Sequence, residues 1–333
     1  MKAMLQAGTA EPLAALVLAS CRLDIEALKP GNVSVYSAGH GMTAADFLRS
    51  ADVIAPVITT PGFSVGERIW RSIEITKARI GCNTNLGIIL LCAPLVHTMF
   101  LPQAGGLRKR LTAVLKALDK SDARLVFQAI RRAGPAGLGH SAQHDVNSEP
   151  TVTLREAMAA AQGWDRIAYQ YAHNFEDIFV LGVACLEEYM ERINDLEWAT
   201  VACYLSFLAR FPDSHIQRKF GKEHAEAIRR EAKRVEKRFK ACDNPLDTIP
   251  LLLQFDKDLK RVGVNPGTSA DLTVASLLAF HLERLEGTLA NSRVKMGGGR
   301  LVNTVLVEIK KVDKRCLSSE HFLDKNQLKN QQL

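Results

Sequence analysis

An all-α fold is what this sequence predicts, and three observations carry the prediction. Ala and Leu dominate over Val, Ile, Tyr and Trp, and aromatic residues make up only 6% of the chain, a bias toward helix formers and away from strand formers. Apolar positions recur at three- and four-residue spacing between clear breakers. The strand–helix alternation that a doubly wound sheet needs is missing. With 333 residues, 47% of them hydrophobic and 24% charged, the chain is not globally disordered and is long enough for one large multi-helix domain.

Taken in order, Leu13 to Leu28 has helical spacing and stops at Pro30-Gly31, two breakers in a row. A loop from Gly31 to Gly41 follows. Thr43, with Asp46 three positions on, then forms a capping-box pattern opening a helix that ends near Pro56. Pro61-Gly62 marks a turn, and Val65 to Ile80 is helical. The polar stretch Gly81 to Asn85 precedes the apolar run Leu86 to Phe100. That run is shorter than a bilayer span and carries Pro94 and His97, so it reads as a buried core helix rather than a membrane segment. Helices follow near Leu107 to Leu118 and Asp122 to Arg132. Gly134 to Pro150, rich in Gly and Pro, is the clearest loop, suited to a boundary or an active-site lid.

Beyond the loop, the spacing predicts helices over Leu154 to Tyr171, Phe175 to Ile193, Trp198 to Phe211, Gly221 to Lys240 and Ala270 to Leu285. The triple Gly at 297–299 precedes a Val/Leu-rich piece, Leu301 to Ile309, the one candidate strand. The expected organisation is a helical domain over 1–285 with a polar cleft between helices. A C-terminal extension over 286–317, with one short strand or helix, and a frayed tail over 318–333 complete it.

The net charge of +7 suggests an anionic partner without saying which. The Lys222 to Lys240 stretch holds eight Lys and Arg against four Glu, most of that excess. It reads first as a solvated helix face; the lack of interleaved aromatics argues against single-strand stacking. Seven scattered cysteines with no CxxC pair suit a reducing, cytoplasmic setting. The first twenty residues are too weakly apolar for a signal peptide.

Several standard motifs are excluded. There is no GxxxxGK[ST]. The Gly137/Gly139 pair has no strand before it, and His140 and His144 sit in the Gly/Pro loop without a third ligand. Ser34 and Ser141 lack a nucleophile elbow.

What remains is a set of small polar clusters: Lys29 to Ser34, Gly39 to Asp46, Gly81 to Gly87, Phe211 to Gly221 and Asn265 to Asp271. Each lies at a helix start or between helices. Any one alone is an ordinary helix cap. Five together point to a nucleotide-phosphate site built from backbone N–H groups and Lys, Asn, Thr and Ser side chains. Asp24, Asp46, Glu67, Glu74, Asp213 and Asp271 are interspersed and suit Mg²⁺ or hydroxyl groups.

These clusters resemble the triphosphoribosyl-dephospho-CoA synthase family over most of residues 13–285. KPGNVS (Lys29 to Ser34) is similar to that family's Lys-Pro-Gly loop, with Asp24 in the place of an upstream acidic residue. GHGMTAADFLRSA matches a second block, and Gly66 to Gly87 resembles the helix leading into an Asn-Thr block. NPGTSADL resembles SPGGSADL, and PDSHIQRKFG is a weaker match.

The resemblance implies an all-α nucleotide-binding catalytic domain that moves the triphosphoribosyl group of ATP to the 2′-hydroxyl of 3′-dephospho-CoA, releasing adenine, with Mg²⁺ accompanying ATP. It assigns the triphosphate to Lys29 and Asn32 in the loop that includes Gly31 and Ser34. Ribose or phosphate contacts fall to Asn83, Thr84 and Asn85, and phosphate to Arg218. Ser269 shares a helix-start site with Asp271. Asp213, Asp271 and His215 become the acid/base candidates, and Asp24, Glu67, Glu74 and Asp271 the metal candidates.

The chain also departs from the family pattern. Asn85-Leu86 stands where many members have His-Lys, Gly41 stands for an Asp, and Gly267-Thr268 replaces Gly-Gly. A Gly-Ala-Arg-Gly-Glu-Ala block has no counterpart, the stretch around Trp164-Asp165-Arg166 taking its place. The expected partners are ATP and a phosphorylated small-molecule acceptor. Nucleic acid and membrane are not expected, and a homodimer is allowed for. Two other readings compete: the same nucleotide site serving a different acceptor in biosynthesis of a pterin or C1-carrier cofactor of the tetrahydromethanopterin kind, and a non-enzymatic helical scaffold binding nucleic acid through Lys222 to Lys240.

Overall fold

Helices start in this chain where a short polar side chain finds free backbone N–H groups. Thr43 and Asp46 cap each other's backbone at the start of α2 (Ala44–Ile58), as do Ser64 and Glu67 at α3 (Val65–Ile80). Asp119 with Asp122 does so at α6 (Lys120–Ala133), and Thr153 with Glu156 at α7 (Leu154–Ala161). Asp165, Asp195 and Asp213 cap α8 (Arg166–Ala172), α10 (Leu196–Arg210) and α11 (Ser214–Phe220). Gly81 and Gly134, both left-handed, close α3 and α6. The computed structural model describes residues 2–295, apart from 40, 83, 103 and 104, and the side chains within 10–287.

The remaining elements are α1 (Lys2–Glu26), α4 (Leu86–Thr98), α5 (Gly106–Ala117), α9 (Ala184–Arg192), α12 (Lys222–Lys240), α13 (Ile249–Arg261) and α14 (Gly267–Lys295). A π-helical turn, Ile178–Val183, leads into α9, and a 3₁₀ turn, Pro245–Thr248, leads into α13. Among the described residues there is no strand, only two isolated bridges, Ser34 with Ser37 and Gly39 with Met42. The candidate strand Leu301 to Ile309 and the tail over 318–333 lie outside the described residues. The chain divides into two units, Met1–Glu283 and Arg284–Leu333. Every candidate site residue belongs to the first.

Three helices are buried on nearly all sides and form the centre of that unit. In α4 everything from Gly87 to Val96 is buried, in α10 everything from Ala199 to Ala209, and in α14 everything from Leu272 to Leu282. A helix that is apolar all round has to be internal. Gly182 in the π-helical turn lets Ser276 of α14 come close: a methyl there would lie 1.9 Å from its Oγ. Around this centre α1 packs on α2, α2 on α3, α3 on α6, and α12 on α10.

Several sequence expectations need correction. The helix expected over Leu154 to Tyr171 is two, because the first stops at Ala161 with Gln162 as its C-cap and Asp165 caps the second. Pro56 does not end α2; it sits in the last turn, which runs on to Ile58. α13 was not anticipated. On α12, Glu226 pairs with Arg229 and Arg230, Glu231 with Arg234, and Glu236 with Lys240. Four of its eight basic side chains are therefore paired within the helix itself, while its net charge of +4 remains.

Candidate functional site

The site begins where α1 ends. The chain turns after Glu26 so that Lys29 doubles back beneath Asp24, and both side chains are buried, Lys29 completely. The ammonium lies 2.7 Å from the Asp24 carboxylate and donates to Asn32 Oδ1 at 2.8 Å. It stands 5.8 Å from the centre of the Tyr204 ring. Burial pushes the Asp24 carboxyl up and the Lys29 amine down, and each charge partly offsets the other's shift. Pro30 accepts from the Tyr204 hydroxyl at 2.6 Å, tying the turn to α10.

The Lys-Pro-Gly loop is clamped from the other side by α13. Gly31 has φ +82° and donates its N–H to Asp256 at 2.8 Å. A methyl group there would lie 2.8 Å from Leu259 and 2.9 Å from Pro266, so this position needs glycine for both space and conformation. Asp256 also pairs with Lys260 at 2.9 Å, and Lys260 reaches the Ser37 carbonyl at 3.2 Å. Asn32 donates to Asn265 Oδ1 at 2.8 Å, joining the first polar cluster to the last. Ser34 is buried and bridges to Ser37 through its backbone.

Asp213 joins two helix starts that lie far apart in sequence. Its Oδ1 accepts from the N–H groups of His215 at 2.9 Å and Ile216 at 3.2 Å, capping α11. Its Oδ2 accepts from Ser269 N–H at 2.7 Å and Ser269 Oγ at 2.8 Å in the first turn of α14. With both oxygens committed, this carboxylate is a brace between α11 and α14. The Thr268 hydroxyl takes a second contact from His215 N–H at 3.2 Å. The His215 ring lies over Gly267, where a methyl would come within 2.5 Å of Nδ1.

Asp271, one turn into α14, differs from the other carboxylates. It is half-buried and has no hydrogen-bond or ion-pair partner among the described residues. Its carboxyl presses onto Gly87 at the start of α4, where a methyl would lie 1.9 Å from Oδ2 and 2.9 Å from Ile167 Cδ1. Burial is the main cause holding its pKa well above the carboxylate range. The nearby Asp24 and Asp213 add to the shift, and Arg218 and Lys29 oppose it. Arg218 itself bonds Asp165 at 2.7 Å. Asp165 thus serves two roles, capping α8 and holding Arg218.

The Asn-Thr block is turned inward. Thr84 Oγ1 donates to Ser50 Oγ at 2.9 Å, Asn85 Nδ2 donates to the same oxygen at 2.5 Å, and Thr76 approaches Asn85 Oδ1 at 3.5 Å. Asn83 lies outside the described residues. Asn85 and Asp24 also line a small crevice with Cys21, Phe47 and Ile88, with room for about one water.

The four metal candidates are dispersed in role. Asp24 faces Lys29, Glu67 accepts Ser64 N–H at 2.8 Å, and Glu74 pairs with Arg132 at 2.7 Å on the surface. Among the described residues no three His, Cys, Asp or Glu side chains converge as a metal's ligand set. Sequence reading did not single out Tyr204, Asp256 or Lys260, and it met Asp165, Asn265 and Ser50 only inside blocks, without a role of their own. Asp165 had a signal, an Asp just after Gly163 and before a helical stretch. Tyr204 and Ser50 look like any residue on a helix.

The family model for ATP:dephospho-CoA triphosphoribosyl transferase (CitG) matches residues 10–289. The chain belongs to this family. It is therefore a transferase acting on ATP and dephospho-CoA. A pterin-type acceptor is not favoured. No curated protein matches the chain. Among solved structures, a crystal structure from Archaeoglobus fulgidus, provisionally described as a triphosphoribosyl-dephospho-CoA synthase, aligns with a TM-score of 0.53 at 24% identity. The alignment covers 71% of this chain and 98% of that one and shows a shared fold.

Proposed function

We propose that this transferase carries out its reaction with Asp271 as the acid that protonates the departing adenine. The bond from the ribose C1 to adenine N9 breaks, and a bond from C1 to the acceptor's 2′-oxygen forms. Adenine gains one proton and the hydroxyl loses one, so the protons balance. An acid for this step must hold its proton near neutral pH and have a free oxygen edge. The observation that carries the assignment is the Asp271 carboxyl: resting on Gly87, unpartnered, and raised by burial with the charges of Asp24 and Asp213 adding to the shift.

Positive charge develops on the ribose as adenine departs, and the negative field of Asp24 and Asp213 favours it. Arg218, near enough to Asp271 to act on its charge, is suited to the triphosphate. Mg²⁺ in this reading neutralises phosphate charge. The absence of a converging acidic trio among the described residues suits an ion held chiefly by the triphosphate. Asp213, Thr84, Asn85 and Gly31 then act as the frame that holds the site. The six described cysteines are free thiols, which supports a reducing, cytoplasmic setting.

The test is product analysis by mass spectrometry after incubation with ATP, Mg²⁺ and dephospho-CoA. Adenine should appear in step with loss of dephospho-CoA. ADP or AMP in place of adenine would overturn the reading, and adenine released without dephospho-CoA would overturn the acceptor.

A further inference from the structure

Two arginines, on α8 and α11, use the same guanidinium edge in opposite ways. Nε and Nη2 form the side-on edge of a guanidinium, which grips a carboxylate or phosphate by two parallel hydrogen bonds. In Arg166 that edge is occupied, Nε at 2.7 Å and Nη2 at 2.8 Å from the two oxygens of Asp177. Its flat faces are covered too, by Tyr169 and Phe211, whose ring centres lie 3.7 and 3.6 Å away. In Arg218 only Nη1 is held, donating to Asp165 Oδ2 at 2.7 Å. Its Nε is buried without a hydrogen-bond partner, and its Nη2 makes no bond among the described residues. A buried donor without an acceptor destabilises the empty protein, and an anion that accepts from it removes that cost.

Asp165 is fixed so that it can hold Arg218 in this state. Its Oδ1 accepts from the N–H groups of Ile167 at 2.9 Å and Ala168 at 3.0 Å, which locks the carboxylate to the first turn of α8. The Ser214 hydroxyl oxygen accepts from Arg166 N–H at 2.8 Å, so the starts of α8 and α11 are tied together. Gly137, from the loop after α6, packs on the Arg218 main chain, where a methyl would lie 3.1 Å from the carbonyl oxygen. The same two helices border the proposed acid. A methyl on Gly87 would meet both Ile167 of α8 and the Asp271 carboxyl, and Asp213 ties the start of α11 to α14.

We infer that Asp165 is a positioning residue for the phosphate site, holding Nη1 of Arg218 so that the Nε–Nη2 edge is left for a phosphate of ATP. The inference rests on the transfer reading for its choice of ligand. Asp165 touches no substrate in this scheme and acts through Arg218 alone.

Its two roles can be separated, because Asn and Ser cap a helix start about as well as Asp. Asn gives the guanidinium no charge to hold, and Ser is too short to reach it. The experiment titrates inorganic triphosphate, which carries neither adenine nor ribose, into wild type, Asp165→Asn, Asp165→Ser and Arg218→Ala, and measures KM for each substrate. Both Asp165 variants should weaken triphosphate and raise KM for ATP about tenfold, the loss of one charge-assisted contact. Their thermal midpoint and KM for dephospho-CoA should change little. Asp165→Asn combined with Arg218→Ala should bind triphosphate no more weakly than Arg218→Ala alone. Losses that simply add overturn the assignment, as does a lowered thermal midpoint with triphosphate affinity intact. A rise in KM for dephospho-CoA alone overturns the choice of nucleotide. If the wild type releases no adenine, the transfer reading fails, and the titration, which needs no turnover, still decides the role of Asp165. If adenine is released and the Asp165 variants bind triphosphate as wild type does, the positioning role alone fails.

Discussion

Replacing Gly87 by Ala is the sharpest test of where the chemistry sits. The added methyl would lie 1.9 Å from Asp271 Oδ2 and 2.4 Å from its Cγ, whereas ordinary contact begins at 3.4 Å. The carboxyl would therefore have to retreat by about 1.5 Å, unless α4 and α14 separate instead. A misplacement of about 1 Å at a reacting group costs on the order of 100-fold in rate. Stability should move far less. Ala gains about 1 kcal/mol over Gly in a helix, and overpacking costs about 1–3 kcal/mol, leaving a net loss of at most about 2 kcal/mol. Adenine release measured by chromatography, beside thermal unfolding of the same sample, separates the two effects. A Gly87→Ala protein that keeps its fold and a kcat within about threefold of wild type would show that the Asp271 carboxyl is not at the reacting centre.

Four further outcomes are expected. Asp271→Asn should lose about 100-fold or more in kcat and yet be at least as stable as wild type near neutral pH. The sign follows from a folded pKa above the unfolded one: the stability this carboxyl contributes is full at acid pH and lost as pH rises. For the same reason the wild-type rate should hold on the acid side and fall as pH rises through the raised pKa of Asp271, the limb that the variant lacks. Asp213→Ala leaves four donors at two helix starts without their acceptor and should cost about 2–4 kcal/mol in urea unfolding. Lys29→Met should cost about 3–5 kcal/mol by stranding Asp24; adding Asp24→Leu should recover much of it, and a pair that simply adds would refute the coupling.

The helices were legible because their signals are local. Thr43 with Asp46, and the breakers at Pro30-Gly31 and Pro61-Gly62, mark boundaries within a few residues of sequence. The apolar run from Leu86 announced a central helix. α13 was less visible, since Asn244-Pro245 and Ile249-Pro250 suggest interruption, while in the structure both prolines fit first-turn positions. The polar clusters were legible as a set, yet their division of labour was not. Asp213 and Asp271 look alike in sequence, but one has four donors and the other none. That difference arises from a partner 56 residues away, beyond the reach of local spacing. Gly87 is the converse case: a glycine inside a helix carries a propensity penalty, and only the carboxyl resting on it explains its place.

The enclosure of Lys29 has a consequence for chemical labelling. With no exposed surface, its amine meets an acylating reagent only when the seal formed by Asp24, Asn32 and Tyr204 parts. Burial is what lowers its proton affinity, so once uncovered it should react like any surface lysine of the same chain. The rate at which this one amine is modified then follows how often the first polar loop lifts away from α10 and α13. Nucleotides that hold the loop down should slow it. The chain thus carries its own timer for the opening of its interior.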